Sequence, residues 1–161
     1  MKWENPGVDA MFFELALAQD AVDCRGQSEA DLRAAHAAVL EHHINDDVEA
    51  WLSGEREVFM VSTAGSLFAT RSEGRRARRE AYLGSTDFQV YHDMVNPVVA
   101  VSDDCTMGWV IVQVEARGIT TQSGEEQAFA FQSSWVELYR RIEGEWRAVG
   151  NVSNFAPQAA E

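Results

Sequence analysis

The sequence predicts an α+β domain, a curved antiparallel sheet with helices over its concave face. Three observations predict it. Apolar residues recur every three or four positions up to Gly54 and every two positions afterwards. Short turn signals, Ala64-Gly65, Asp103-Asp104, Ser123-Gly124 and Glu143-Gly144, separate the later runs as hairpin turns do. The run Gln127–Ile142 spans 16 residues, against about 5–6 for an ordinary strand. Long strands in a small domain must curl, and a curled sheet covered by helices encloses a pocket.

The elements follow in order. Val8, Met11, Phe12 and Leu15 fall at helical spacing just after Pro6. Asp9, Glu14, Asp20 and Asp23 interrupt this apolar stretch, so residues 1–27 read as an amphipathic helical extension rather than an export leader. Ser28 and Asp31 have the spacing of a capping box. Leu32, Ala35, His36, Val39, Leu40 and His43 then mark one helix face. Asp46–Leu52 is a second, short helix ended by Ser53-Gly54. Glu57–Thr63 and Ser66–Thr70 form a hairpin, and Arg71–Leu83 is a helix stopped by Gly84. Four strands follow at about Phe88–Val101 (kinked near Asn96-Pro97), Met107–Gly118, Gln127–Ile142 and Glu145–Phe155. The main domain is expected over 28–156, with 157–161 as a tail.

Composition narrows the partners. A length of 161 residues suits one main domain, and 46% hydrophobic residues suffice for a core. With 13 Lys+Arg against 26 Asp+Glu, the formal charge is −13. That field opposes binding to nucleic acid or to an anionic membrane. No window is apolar enough for a membrane span, and a cytoplasmic location is expected. The two cysteines, Cys24 and Cys105, form neither a disulfide framework nor a CxxC metal site; free buried thiols are expected, with a single bridge between them as the alternative.

The stretch Trp135-Val-Glu-Leu-Tyr-Arg-Arg-Ile-Glu-Gly-Glu-Trp-Arg-Ala-Val-Gly-Asn-Val-Ser-Asn154 resembles the final hairpin of the nuclear transport factor 2-like superfamily, particularly its SnoaL-like and ketosteroid-isomerase-like members. Gly74–Tyr82 is similar to the third helix of that group, and Asp103–Trp109 to one of its turns. The resemblance covers residues 28–155. It implies a cone-shaped, cystatin-like α+β fold around an adaptable pocket. It further implies either a cofactor-free isomerase, cyclase or dehydratase acting on an apolar, cyclic or polyketide-like molecule, or a non-catalytic dimeric binding module.

Several groups are candidates for the chemistry. His36 and His43 are seven residues apart and share a helix face, while His42 and His43 lie four residues before Asp46 and Asp47. A carboxylate at that spacing can orient an imidazole as a general base, although solvated charges at a helix end give the same pattern. No recognised metal motif is present, and no metal is expected. Strand alternation puts Tyr91 and Asp93 on one face. The resemblance to ketosteroid isomerases implies a carboxylate base and an acidic hydroxyl for these residue types, with Asp93 satisfying backbone groups at the Asn96-Pro97 kink as the alternative. Trp109 and Gln113 on one strand, Trp135 and Glu137 on the next, and Asn151 on the last are candidate ligand contacts, as few polar groups on apolar faces make small-molecule sites. The alternative is core beneath the helices or a convex face buried in a homodimer, since strand period does not say which face is concave. Arg71, Arg75, Arg76, Arg78 and Arg79 read as a solvated helix face paired with Glu73 and Glu80, with an anion-binding stripe as the alternative. A bare apolar sheet face predicts a homodimer.

Overall fold

The computed structural model describes the backbone of residues 7–155 and the side chains of residues 24–154. Its elements are α1 (Gly7–Ile44), α2 (Val48–Ser53), β1 (Glu55–Thr63), β2 (Ser66–Arg71), α3 (Ser72–Gly84), β3 (Thr86–Asp93), β4 (Val98–Val101), β5 (Met107–Gln122), β6 (Glu125–Ile142) and β7 (Glu145–Phe155). The sheet order is β2-β1-β7-β6-β5-β3, with β4 also paired to β5. Only the β1–β7 pairing is parallel among these strands. The sheet is the expected open, curved one, with the helices packed on it.

Three of the four hairpins turn at Ala64-Gly65, Ser123-Gly124 and Glu143-Gly144, where both residues take positive φ. That is the two-residue turn whose twist matches the flanking strands, and glycine takes its second position without steric cost. The strand Phe88–Val101 is two strands, because the segment around Asn96-Pro97 leaves the ladder. Proline lacks the N–H that a ladder needs.

Helix α1 lies across the inner face of the sheet. Leu32 is fully buried against Val110, Val112 and Val114 of β5. Gly108 makes this approach close, since a Cβ there would lie 2.5 Å from Leu32 Cδ1. Burial of apolar surface in this cluster, at about 25 cal/mol per Å², favours seating the helix on the sheet.

Three local expectations change. Ser28 does not cap a helix. It lies within α1, which runs unbroken through residues 27 and 28, and it is buried. The amphipathic pattern of residues 8–23 involves side chains outside the described ones. Cys24 and Cys105 are not free thiols but a disulfide that ties α1 to the turn between β4 and β5. Folding brings the two sulfurs together across 81 residues, a proximity invisible in sequence. Persistent disulfides belong mainly to oxidising compartments, so this bond does not favour the expected cytoplasmic location. Among the described residues, no helix is long and apolar enough to cross a membrane.

Candidate functional site

A cavity of about 630 Å³ lies between the sheet and the helices. Strand β6 supplies its floor, because alternation turns Phe131, Ser133, Trp135, Glu137 and Tyr139 to the same side. Registry then aligns the neighbouring strand: Ser153 pairs with Trp135 and Asn151 with Glu137. Helix α1 adds Val39, His42 and His43, and α2 adds Trp51. The wall is thus largely aromatic, with a few polar groups, as in sites for small organic ligands.

Glu137 is the most heavily bonded of those groups. Its Oε1 accepts from Trp135 Nε1 at 2.8 Å and lies 2.9 Å from His36 Nδ1. Its Oε2 accepts from the Tyr139 hydroxyl at 2.8 Å. On the far side of the imidazole, His36 Nε2 lies 3.0 Å from Asp93 Oδ1. His36 is 1% exposed, and among the described residues the polar groups its ring nitrogens meet are carboxylates. The doubly protonated imidazolium fits both contacts, since carboxylates accept. Burial alone would lower the pKa of His36, but the hydrogen bonds and charges of Glu137 and Asp93 together outweigh it and raise the value. The result is a buried chain Asp93–His36–Glu137. Its Asp93 end is half-buried and its Glu137 end lines the cavity.

His43, one face-repeat along α1, has the opposite environment. Its Nδ1–H donates to the Val39 carbonyl at 2.7 Å. Its ring stacks on Tyr91 with centroids 4.2 Å apart and leans on Trp51 at 4.0 Å. Burial lowers its pKa to about 4, so it is neutral at pH 7. Tyr91 also lines the cavity, and burial raises the pKa of its phenol, which stays protonated.

A second charged group closes another part of the wall. Glu55 sits between two arginines of α3: Arg75 Nε donates to its Oε2 at 2.8 Å, and Arg79 Nη1 and Nη2 donate to Oε2 and Oε1 at 3.0 and 2.5 Å. Arg75 and Arg79 are therefore not the solvated pair the sequence suggested. Their partner is Glu55 on β1 rather than Glu73 or Glu80, because α3 packs against the start of that strand. Arg71 and Arg76 do stay near the surface, with Glu57 and Glu49 as partners.

No protein-family model matches the chain, and no curated protein matches it in sequence. Solved structures do resemble it. A nuclear transport factor 2-like superfamily protein from Salmonella enterica superposes with a TM-score of 0.65 at 11% identity, covering 84% of this chain and 95% of that one. A nuclear transport factor 2-like protein of unknown function in nutrient uptake from Rhodospirillum rubrum gives 0.63 at 15% identity, over 79% and 99% of the two chains. The fold is nuclear transport factor 2-like. A putative calcium/calmodulin-dependent kinase II association domain from Exiguobacterium sibiricum is similar too, with a TM-score of 0.64, 14% identity and 81% and 94% coverage. At such identities the likeness concerns the fold alone.

Within this nuclear transport factor 2-like cone, His43, Tyr91, Trp135, Glu137 and Asn151 line the cavity, and His36 and Asp93 stand behind Glu137. Trp109 and Gln113 do not. They lie on the outer face of β5, whose inner face is Val110, Val112, Val114 and Ala116. Both faces of that strand carry apolar residues, and strand period alone does not say which of them is concave. Strand alternation places Tyr139 on the face of Glu137, two residues away, but assigns it no role, and nothing in the sequence singles out Glu55 or Trp146 for the site. Two buried polar atoms in the cavity wall, Trp146 Nε1 and Asn151 Oδ1, have no hydrogen-bond partner among the described residues. One is a donor and one an acceptor, and such atoms normally find partners. Among the described residues, no group of His, Cys, Asp and Glu could hold a metal ion.

Proposed function

We propose that this protein binds a small, mainly apolar cyclic molecule in the cavity and performs cofactor-free acid/base chemistry on it, as SnoaL-like or ketosteroid-isomerase-like enzymes of the isomerase, cyclase or dehydratase type do. The observation that carries this reading is the hydrogen-bonded chain Asp93–His36–Glu137 ending on the cavity wall. Glu137 is the group that exchanges a proton with the ligand. Three donors use three of the roughly four lone-pair directions of a carboxylate, leaving one for that proton. His36 holds a proton behind Glu137, and Asp93 links the imidazole to the half-buried edge. Tyr91, protonated and cavity-lining, is the donor for a developing oxyanion. The unpartnered Trp146 Nε1 and Asn151 Oδ1 orient the ligand through a matching acceptor and donor.

The test is exchange of acidic C–H protons of cyclic ketones for deuterium in heavy water, followed by proton NMR, alongside ligand-induced thermal stabilisation. Wild-type protein is expected to exchange and to be stabilised. Glu137→Gln is expected to lose exchange by about 100-fold or more while still binding, the usual weight of a general acid/base group. Stabilisation without exchange in wild type would remove the enzymatic reading. It would leave the second one, a non-catalytic binding module, which is favoured by how fully His36, Trp135 and Tyr139 already occupy Glu137.

Either reading includes a homodimer formed across the outer sheet face. Val98 pairs with Ile111, Ile111 with Val136 and Val136 with Val152, which makes a contiguous apolar band. Val98, Ile111 and Val152 are 59%, 42% and 48% exposed, and Trp109 adjoins them at 37%. A patch of this kind favours a partner surface. Sedimentation is expected to give a dimer at micromolar concentration and a monomer for Trp109→Glu. A monomeric wild type would refute the dimer.

A further inference from the structure

We infer that the ligand of this cavity carries one carboxylate, and that Arg79 is the residue that receives it. This rests on the reading of the cavity as a small-molecule site and names the chemical class of its occupant.

The observation is a charge imbalance. Glu55 is one buried carboxylate shared by two buried guanidiniums. Arg75 is otherwise satisfied, since it also donates to the carbonyls of Thr70, Arg56 and Glu57 and to the Thr70 hydroxyl. Arg79 has Glu55 and the face of Trp51, with its guanidinium carbon 3.6 Å from the ring centroid. A guanidinium carries five N–H donors, and its bonds to Glu55 use two. The group therefore keeps one positive charge in excess, with donors to spare, on a residue that lines the cavity. The other charged or titratable groups that act on the cation do not cancel it. Arg78 adds positive charge, and His43 is neutral at pH 7. Glu49 on α2 is exposed and paired with Arg76.

The chemistry selects the anion. Stacking on Trp51 fixes the plane of the guanidinium, and a planar fork matches a carboxylate. The aromatic lining around it suits an apolar cyclic body rather than a sugar or a nucleotide. Glu137 on the same cavity wall disfavours a second negative charge on the ligand. The overall charge of −13 slows the approach of any anion. It is spread over an exposed surface screened beyond about 8–10 Å, whereas Arg79 acts at contact distance in a partly desolvated site.

Paired probes test this, namely 2-naphthoate and its neutral isostere 2-naphthamide, each titrated calorimetrically into wild-type protein, Arg79→Gln and Arg79→Lys. In wild type the acid is expected to bind at least about tenfold tighter than the amide, the weight of a charged hydrogen bond. Arg79→Gln is expected to abolish this preference and leave the amide unchanged, while Arg79→Lys, which keeps the charge without the fork, retains part of it. Equal affinities in wild type, or a tighter amide, would overturn the carboxylate and leave the cavity reading standing. A preference that survives intact in Arg79→Gln, or in Arg79→Lys if the former does not fold, would overturn the role of Arg79. Binding of neither probe to wild type would overturn both the cavity reading and this one.

Discussion

Two buried charge groups border one cavity, and they are built as opposites. In Arg75–Glu55–Arg79 a carboxylate lies between two cations. In Asp93–His36–Glu137 a cation lies between two carboxylates. The difference that matters is the titratable member. Guanidinium does not release its proton in the working pH range, so the first group is a fixed charge. Imidazole does, so the second is the one in which a proton can move. The first suits recognition of a charge and the second suits its transfer.

The comparison can be broken from either side. Removing the shared carboxylate has the largest expected effect. Glu55→Ala leaves two buried guanidiniums without their common partner, and chemical denaturation should show a loss of about 3–5 kcal/mol. Acid titration sharpens it next. Between pH 6.5 and 4 the unfolded state protonates His43 while the folded state, with its pKa at about 4, does not. Stability therefore falls with decreasing pH across that window, by up to roughly 3 kcal/mol from this group. His43→Phe keeps the stack on Tyr91 and should flatten the slope in a pH series of melting curves. His36 works in the other direction. Its raised value gives stability that is present below pH 6.5 and is lost as pH climbs through the folded-state pKa. His36→Gln, which keeps an amide donor without a titrating ring, should remove that alkaline loss. Asp93→Asn is the mildest change, about 1 kcal/mol, because Asp93 is half-buried and solvent screens its pair.

Much of this was legible in the sequence, for identifiable reasons. The X-Gly turns announced the hairpins because only a few residue types take positive φ cheaply. Seven-residue spacing put His36 and His43 on one helix face, and strand alternation put Trp135 with Glu137 and Tyr91 with Asp93. What could not be read was which face of β5 is covered. Trp109, Ile111 and Gln113 looked as eligible as Val110, Val112 and Val114, since strand period gives the two sets but not their direction. The partner of Arg75 was missed for a related reason. Glu55 is 20 residues away in sequence and reaches it only through the packing of α3 on β1. The disulfide depends likewise on tertiary proximity.

That disulfide has a topological consequence. With Cys24 joined to Cys105, residues 24–105 form a closed covalent ring holding α2, β1, β2, α3, β3, β4 and most of α1. The β1–β2 turn, beside Leu67 at 72% exposure, is the natural place for a protease to cut this ring. A single cut there linearises the ring without dividing the molecule, so nicked protein should migrate as one species until the bond is reduced and as two fragments afterwards.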